Sequence, residues 1–381
     1  MPTLRQDTNI KTPFKQYPFY LKSTVILFGL VLLAYILLSL QAIIVPLAFS
    51  LIFSILLNPL YVLLQNRAKL PRIAAITLTI LIAYIIVGCV VYFLSVQLLH
   101  FTDTFPALQA KFARYFAELQ QWLQVRFGLS MAKQNEMLNE ALNSSKALIG
   151  STLNSALTTL SVLVLIPVYI FMMLFYKTLI LNFLFEVFAE ENSHNVSIIL
   201  NQTKSAIQNY MVGLLLEAFI VAILNSAGLL IIGLNYAILL GVMGAILNML
   251  PYIGGIIAIA IPLIIATVTK DGYSTQIGVI VSFAIVQFID NHILIPRIVS
   301  SKVQINALIT VVVVLLGGAL WGVSGMFLSI PFVAILKIIF DRIDDLKPWA
   351  KLLGDIVPTR HKGDIWRRRK HEAALTDKIS S

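Results

Sequence analysis

Charged residues are missing from six long stretches of this chain: 23–66, 73–102, 147–176, 218–269, 272–289 and 303–336. Together they make up more than half of it. A membrane-spanning helix needs roughly 20 consecutive apolar residues, so these stretches hold eight to ten crossings. The period-two alternation of a membrane β-barrel strand is absent from them. Charged residues form 12% of the whole, about half the share of a soluble domain. This excludes a soluble enzyme, a disordered protein and a nucleic-acid-binding domain. The expected fold class is an all-α, polytopic integral membrane protein. It has about eight transmembrane helices, counted as 8–10 crossings or hairpin arms, including broken or re-entrant ones.

The net charge of +10 is explained by where the charges lie. Residues 1–22 hold Arg5, Lys11, Lys15 and Lys22 against Asp7. The loop 67–72 holds Arg67, Lys69 and Arg72, the loop after residue 290 holds Arg297 and Lys302, and the tail holds Arg367-Arg368-Arg369-Lys370. A Lys/Arg excess marks the cytoplasmic side, which places both termini inside. Such a tail suits topology or anionic headgroups, and no nucleic acid is needed as a partner. The lone Cys89 permits no intrachain disulfide and no cysteine metal site. Residues 1–22 are too polar and too long for the start of a cleavable signal peptide.

These signals divide the chain. Residues 1–22 form a cytoplasmic segment and 23–98 the first three transmembrane helices, near 23–40, 42–64 and 73–98. Residues 99–155 form an extracytoplasmic amphipathic segment. In it Leu108, Phe112, Tyr115, Phe116, Leu119, Trp122 and Leu123 share a helical face. That helix either packs on a partner from 130–155 or lies on the membrane surface. Residues 156–176 cross back, and 177–209 form a cytoplasmic helical segment. Residues 210–340 form a core of Gly/Pro-broken helices, and 341–381 a basic cytoplasmic tail. Within the core, 306–340 make either two short arms or one and a half crossings, broken at Gly317-Gly318.

Polar groups inside the apolar core are the candidate functional residues. Glu217 shares a helix face with Tyr210, Gly213, Asn225 and Gly228. A carboxyl in lipid costs several kcal/mol, so this face should look onto protein or a water-filled cavity. It is either a proton carrier or a paired group holding helices together. Gln287 lies one turn before Asp290 and Asn291, and Pro296 should break the helix that follows. The freed carbonyls would join Asp290 and Asn291 around an ion or polar solute. Alternatively Asp290 pairs with Arg297 or caps a helix. Pro251-Tyr252-Ile253-Gly254-Gly255 is either unwound backbone lining a cavity, close to Asn248, or an ordinary turn. Gly241-Val242-x-Gly244-x-x-Leu247 is echoed by Gly322-Val323-x-Gly325-x-x-Leu328, each with a proline after it. Paired Gly/Pro-interrupted apolar segments point to a transport site. The chain shows no Walker A, HExxH or GxSxG motif, so no catalytic residue, metal or cofactor is assigned.

Taken together, Pro251-Tyr252-Ile253-Gly254-Gly255, Asp290-Asn291 with Leu294 and Pro296, and Leu315-Leu316-Gly317-Gly318-x-Leu320-x-Gly322-x-x-Gly325 with Pro331 resemble the AI-2E family of bacterial membrane transporters. Likeness is strongest over about 205–340. One departure is Ser300, where the family usually has glycine. The resemblance implies an inner-membrane transporter of a small polar solute or ion, working as a homo-oligomer. Family members are linked to export of the signal autoinducer-2 and to sodium/proton antiport. Readings from other classes are a membrane-embedded enzyme on a lipid or isoprenoid substrate, using Asp290, His292 and Glu217, and a non-transporting scaffold.

Overall fold

A computed structural model describes residues 18–128, 130, 133–134, 164–188, 193–251, 254–270, 272–299 and 305–355. The helix expected from 130–155, the loop around Ser300, Tyr252, most of the N-terminal segment and the basic run at 367–370 lie outside the described residues. Among the described residues six helices are long and apolar enough to cross a membrane, or seven if one bent pair counts as a span. Two shorter apolar helices join them. The polytopic all-α class expected from the charge-free runs is the fold observed.

Helices α1 (Phe19–Ser39) and α2 (Gln41–Asn66) follow each other closely. No residue of α1 is buried, as suits a helix whose apolar surface meets lipid on most sides. The third helix differs from expectation. Rather than ending near residue 98, α3 runs unbroken over Arg72–Phe127. Its 56 residues span about 84 Å at 1.5 Å per residue, nearly three bilayer cores. The apolar stretch Arg72–Leu99 therefore continues straight into the amphipathic stretch. Nothing in residues 98–100 stops a helix, and Gly128, with φ of 67°, ends it.

The return helix α4 (Val164–Phe175) bends by 64° at Tyr176 into α5 (Lys177–Val187). Basic side chains satisfy the break. Arg72 Nη2 donates to the Phe175 and Leu174 carbonyls, and the guanidinium lies 5.0 Å from the Phe175 ring centre. Lys177 Nζ donates to Asn58 Oδ1 at 2.9 Å. Cations at the C-terminal end of a helix offset its unpaired carbonyls and dipole.

The central helix α6 is one rod over Ser193–Ile231, so the boundary expected at 209/210 is absent. It ends as expected before the Gly233 turn. There Leu234 N–H donates to Leu229 O and Gly233 N–H to Leu230 O, both at 3.0 Å. With Gly233 at φ 73°, this is a Schellman cap. Helices α7 (Ala237–Asn248) and α8 (Gly254–Thr269) form two short arms around the Pro251 break. Close backbone approach explains Gly241. A Cβ there would sit 2.5 Å from Ser226 N on α6, so only hydrogen fits.

Helix α9 (Ser274–Ile289) does not stop at Pro296. It widens into a π-helical segment over Asp290–Val299. A π-turn changes the hydrogen-bond register, so a residue without an N–H is carried rather than breaking the helix. The last long element, α10 (Ala307–Arg342), is two arms folded on each other. Its break is at Trp321 (φ −133°) and Gly322 (φ 59°, ψ −140°), not at Gly317-Gly318. Gly317 and Gly325 meet backbone to backbone across the arms. Ser329 Oγ bridges them by donating to Val313 O at 2.9 Å, and Trp321 Nε1 ties the turn to Leu37 O of α1 at 3.0 Å. The echo between 241–251 and 322–331 is not an equivalent pair of breaks. Gly241 packs α7 on α6, Gly322 is itself the turn, and Pro331 lies inside an arm.

The start of the tail is folded too. Helix α11 (Lys347–Leu353) returns to the base of α10, with Asn306 N–H donating to Leu353 O at 2.9 Å. Asn306 Oδ1 also caps the first turn of α10 through Leu308 N–H.

Candidate functional site

The polar residues of the core converge between α6, the α7/α8 break, the α9/π-turn junction and the first arm of α10. They line a cavity of about 740 Å³. Four of its walls come from sequence far apart: Tyr210 and Glu217, Asn248 with Pro251, Gln287 with Asp290 and Asn291, and Thr310. Each wall has a local cause. The 3.6-residue repeat places Tyr210 and Glu217 two turns apart on one face of α6. The Pro251 break ends α7 just after Asn248, whose side chain lines the cavity. The widened turn keeps Asp290 and Asn291 at the end of α9.

Asp290 is the pivot. It is 1% exposed and accepts a hydrogen bond from Asn248 Nδ2 at 2.8 Å on Oδ2. Its other oxygen, Oδ1, is buried without a hydrogen-bond partner. Glu217, 5% exposed, turns its carboxyl towards Asp290. Two carboxyls held side by side out of water repel when both are charged. The arrangement therefore favours a proton or a cation between them. Behind them a void of about 10 Å³ is lined by Asn225, Asn248, Gln287 and Asp290. That is room for about one water-sized particle. Asn225 Oδ1 is also buried and unpartnered, so two orphaned oxygens belong to the lining of one small void.

The sequence candidates sort clearly. Glu217, Asn248, Pro251, Gln287, Asp290 and Asn291 line the main cavity, and Asn225 the smaller void. Gln287 Nε2 donates to Asn291 Oδ1 at 3.3 Å. Pro296 and Arg297 are exposed and outside the cavity lining. Gly254 shapes the α7/α8 turn, where a Cβ would sit 2.0 Å from Leu247 O. Gly317, Gly318, Gly322 and Gly325 build the α10 hairpin, which reaches the cavity through Thr310 and Ile330 instead. At the break itself, Leu250 and Pro251 line the cavity.

Thr310 is the polar lining residue that sequence reasoning missed, and Gly255 was named only as part of the Pro251 break. A Cβ on Gly255 would sit 3.0 Å from Gln287 Oε1 and 3.5 Å from Asn248 Oδ1, so its hydrogen makes room for both amides. Its place next to Gly254 was a usable signal. Thr310 carries none, because threonine is ordinary in a membrane helix. Among the described residues no three His, Cys, Asp or Glu gather to hold a metal ion.

Comparison with known proteins bears on most of the chain. A protein from Haemophilus influenzae named "Putative transport protein" is 27% identical over 82% of this chain and 90% of its own length. YrrI of Bacillus subtilis, with the same descriptive name, is 25% identical over 79% and 86%. The AI-2 transport protein TqsA of Escherichia coli K12 is 24% identical over 82% and 90%. The model of the AI-2E family transporter matches residues 24–345. The apolar helices and that match over most of the chain place it in the AI-2E transporter family.

Proposed function

We propose that this transporter moves a small polar solute or ion through the 740 Å³ cavity by a secondary mechanism, with Glu217 and Asp290 as the groups that bind or release the coupling ion. The observation that carries the reading is the pair of neighbouring buried carboxyls at the cavity wall. A scaffold gains nothing from burying two acids together, since each costs free energy in a membrane interior. The orphaned oxygens of Asp290 and Asn225 beside a water-sized void suit a dehydrated cation or a proton-carrying water. Asn248, Gln287, Asn291, Tyr210 and Thr310 offer hydrogen bonds to a hydroxyl-rich solute. An autoinducer-2-like signal and sodium/proton exchange both fit these groups.

The wider assignment belongs to the same proposal. The protein sits in the bacterial inner membrane as a homo-oligomer with both termini cytoplasmic. Residues 99–155 lie outside, 177–209 and 341–381 inside, and 210–340 carry transport. Purified protein in liposomes tests the central reading by flux of sodium, protons and autoinducer-2, with and without an imposed pH gradient. Glu217→Gln and Asp290→Asn should insert normally and lower flux at least tenfold. Unchanged flux and pH dependence in both variants would make the pair structural. Absence of any flux from the parent protein would favour the scaffold.

A further inference from the structure

A second feature lies away from the cavity, on the edge formed by α3 and α4. Arg72, Lys177 and Lys204 come together there from three elements. Arg72 opens α3, Lys177 opens α5, and Lys204 lies on α6. Lys204 and Arg72 are the charged neighbours of Lys177. Among the described residues the ion pairs are Arg114–Glu118, Lys337–Asp341 and Lys347–Asp344, none of which involves these three. Among the described residues, no ion pair offsets the repulsion of these three cations. They sit where apolar sequence stops, since the charge-free runs 73–102 and 147–176 begin and end at this level.

Directly below the cluster, the same two helices leave a cleft of about 300 Å³. It is lined by Thr77 and Ile80 of α3 and by Pro167, Val168 and Phe171 of α4. Thr77 and Ile80 lie one to two turns beyond Arg72. Phe171, Val168 and Pro167 lie one to two turns before Phe175, whose carbonyl Arg72 holds. At 1.5 Å per residue the cleft therefore begins about 6–8 Å deeper than the cations and extends to about 12 Å. Positive charge at the membrane boundary above an apolar cleft matches one kind of molecule: a negative headgroup carrying an acyl chain.

We propose that the α3/α4 edge is a binding site for an anionic phospholipid, its phosphate held by Lys177, Lys204 and Arg72 and one acyl chain lying in the Thr77–Phe171 cleft. Charge complementarity decides the occupant, because a zwitterionic lipid brings a cation of its own towards the three already present. The bound lipid would brace the α4–α5 bend, since Arg72 and Lys177 hold both that bend and the headgroup.

Tryptophan quenching tests this with the full-length protein. Val168→Trp places a reporter in the cleft, and its signal is taken as the difference from the parent. The protein is reconstituted in phosphatidylcholine vesicles containing increasing brominated-chain phosphatidylglycerol, or brominated-chain phosphatidylcholine. Val31→Trp on α1, exposed and distant in sequence, reports ordinary surrounding lipid. The expected result is stronger quenching by phosphatidylglycerol at position 168 and no such preference at position 31. Lys204→Gln, which removes an exposed side chain, should lower the preference about fivefold, the factor for one basic residue at an anionic surface. Lys177→Gln should lower it similarly. Equal quenching by both lipids at position 168, an equal preference at position 31, or a preference that survives both lysine variants would overturn the proposal.

Discussion

Gly325→Ala offers a sharp test of the α10 hairpin. A Cβ at residue 325 would lie 1.9 Å from Gly317 O and 2.6 Å from Gly317 C, while real Cβ atoms essentially never come within 3.0 Å of such neighbours. The clash is with backbone, so no rotamer relieves it, and the arms must part by about 1 Å or more. Parting stretches the Ser329 Oγ to Val313 O hydrogen bond, now 2.9 Å, a loss of about 1 kcal/mol. Forcing a methyl into a filled contact costs about 1–3 kcal/mol besides. The expected destabilisation is therefore about 2–4 kcal/mol, with disturbance transmitted to Thr310 and Ile330 at the cavity. Gly88→Ala is the control, since a Cβ there meets nothing within 4 Å. Thermal unfolding in detergent should show Gly325→Ala melting well below the parent and Gly88→Ala level with it or above. Equal melting of Gly325→Ala and the parent, with unchanged flux, would refute the interlocked hairpin.

Asn248→Ala should destabilise the protein by about 1–3 kcal/mol, because Asp290 then loses the donor on Oδ2 while Oδ1 already has none; unfolding in detergent measures it. Asn248→Asp should be worse at neutral pH than in acid, since it brings a third carboxyl to the same place, and comparing melting at the two pH values checks the sign. For topology, Ser130→Cys in a Cys89→Ser background should react with a membrane-impermeant thiol reagent added outside intact cells. Reaction only after the cytoplasmic side is opened would reverse the arrangement.

Most of the helix inventory was legible in the chain, and the reason is solvent. In lipid every backbone polar group must be satisfied within its own segment, so a long charge-free run has little choice but helix. That is why α1, α2, α9 and the Gly233 turn fall close to where composition places them. Boundaries set by polarity fared worse. Residues 99–127 turn amphipathic without turning from helix, because leaving the membrane changes which side chains are tolerated and not the backbone. The same holds for 193–209, which reads as a separate segment and is the start of α6. Pro296 shows the opposite error, where a local rule of helix breaking yields to a wider turn that keeps the chain helical.

The candidate site was legible as a list and not as an arrangement. Glu217 and Asp290 stand out from sequence because ionisable groups are costly in apolar runs. Their meeting is a tertiary fact, since they are 73 positions apart on α6 and at the end of α9. So is the identity of the group that holds Asp290. Sequence proximity suggests Arg297, whereas the structure supplies Asn248, 42 positions away, through the break at Pro251. The glycines divide in the same way. Gly317, Gly318, Gly322 and Gly325 mark a break by composition alone, yet only the folded arms show that Gly322 takes the positive φ and that Gly317 and Gly325 provide the contact. The chain by itself determined a helical membrane protein with polar groups buried in its second half, because burial cost is written residue by residue. Which of those groups share one cavity was decided by tertiary packing, because close helix approach depends on surfaces that sequence separation does not record.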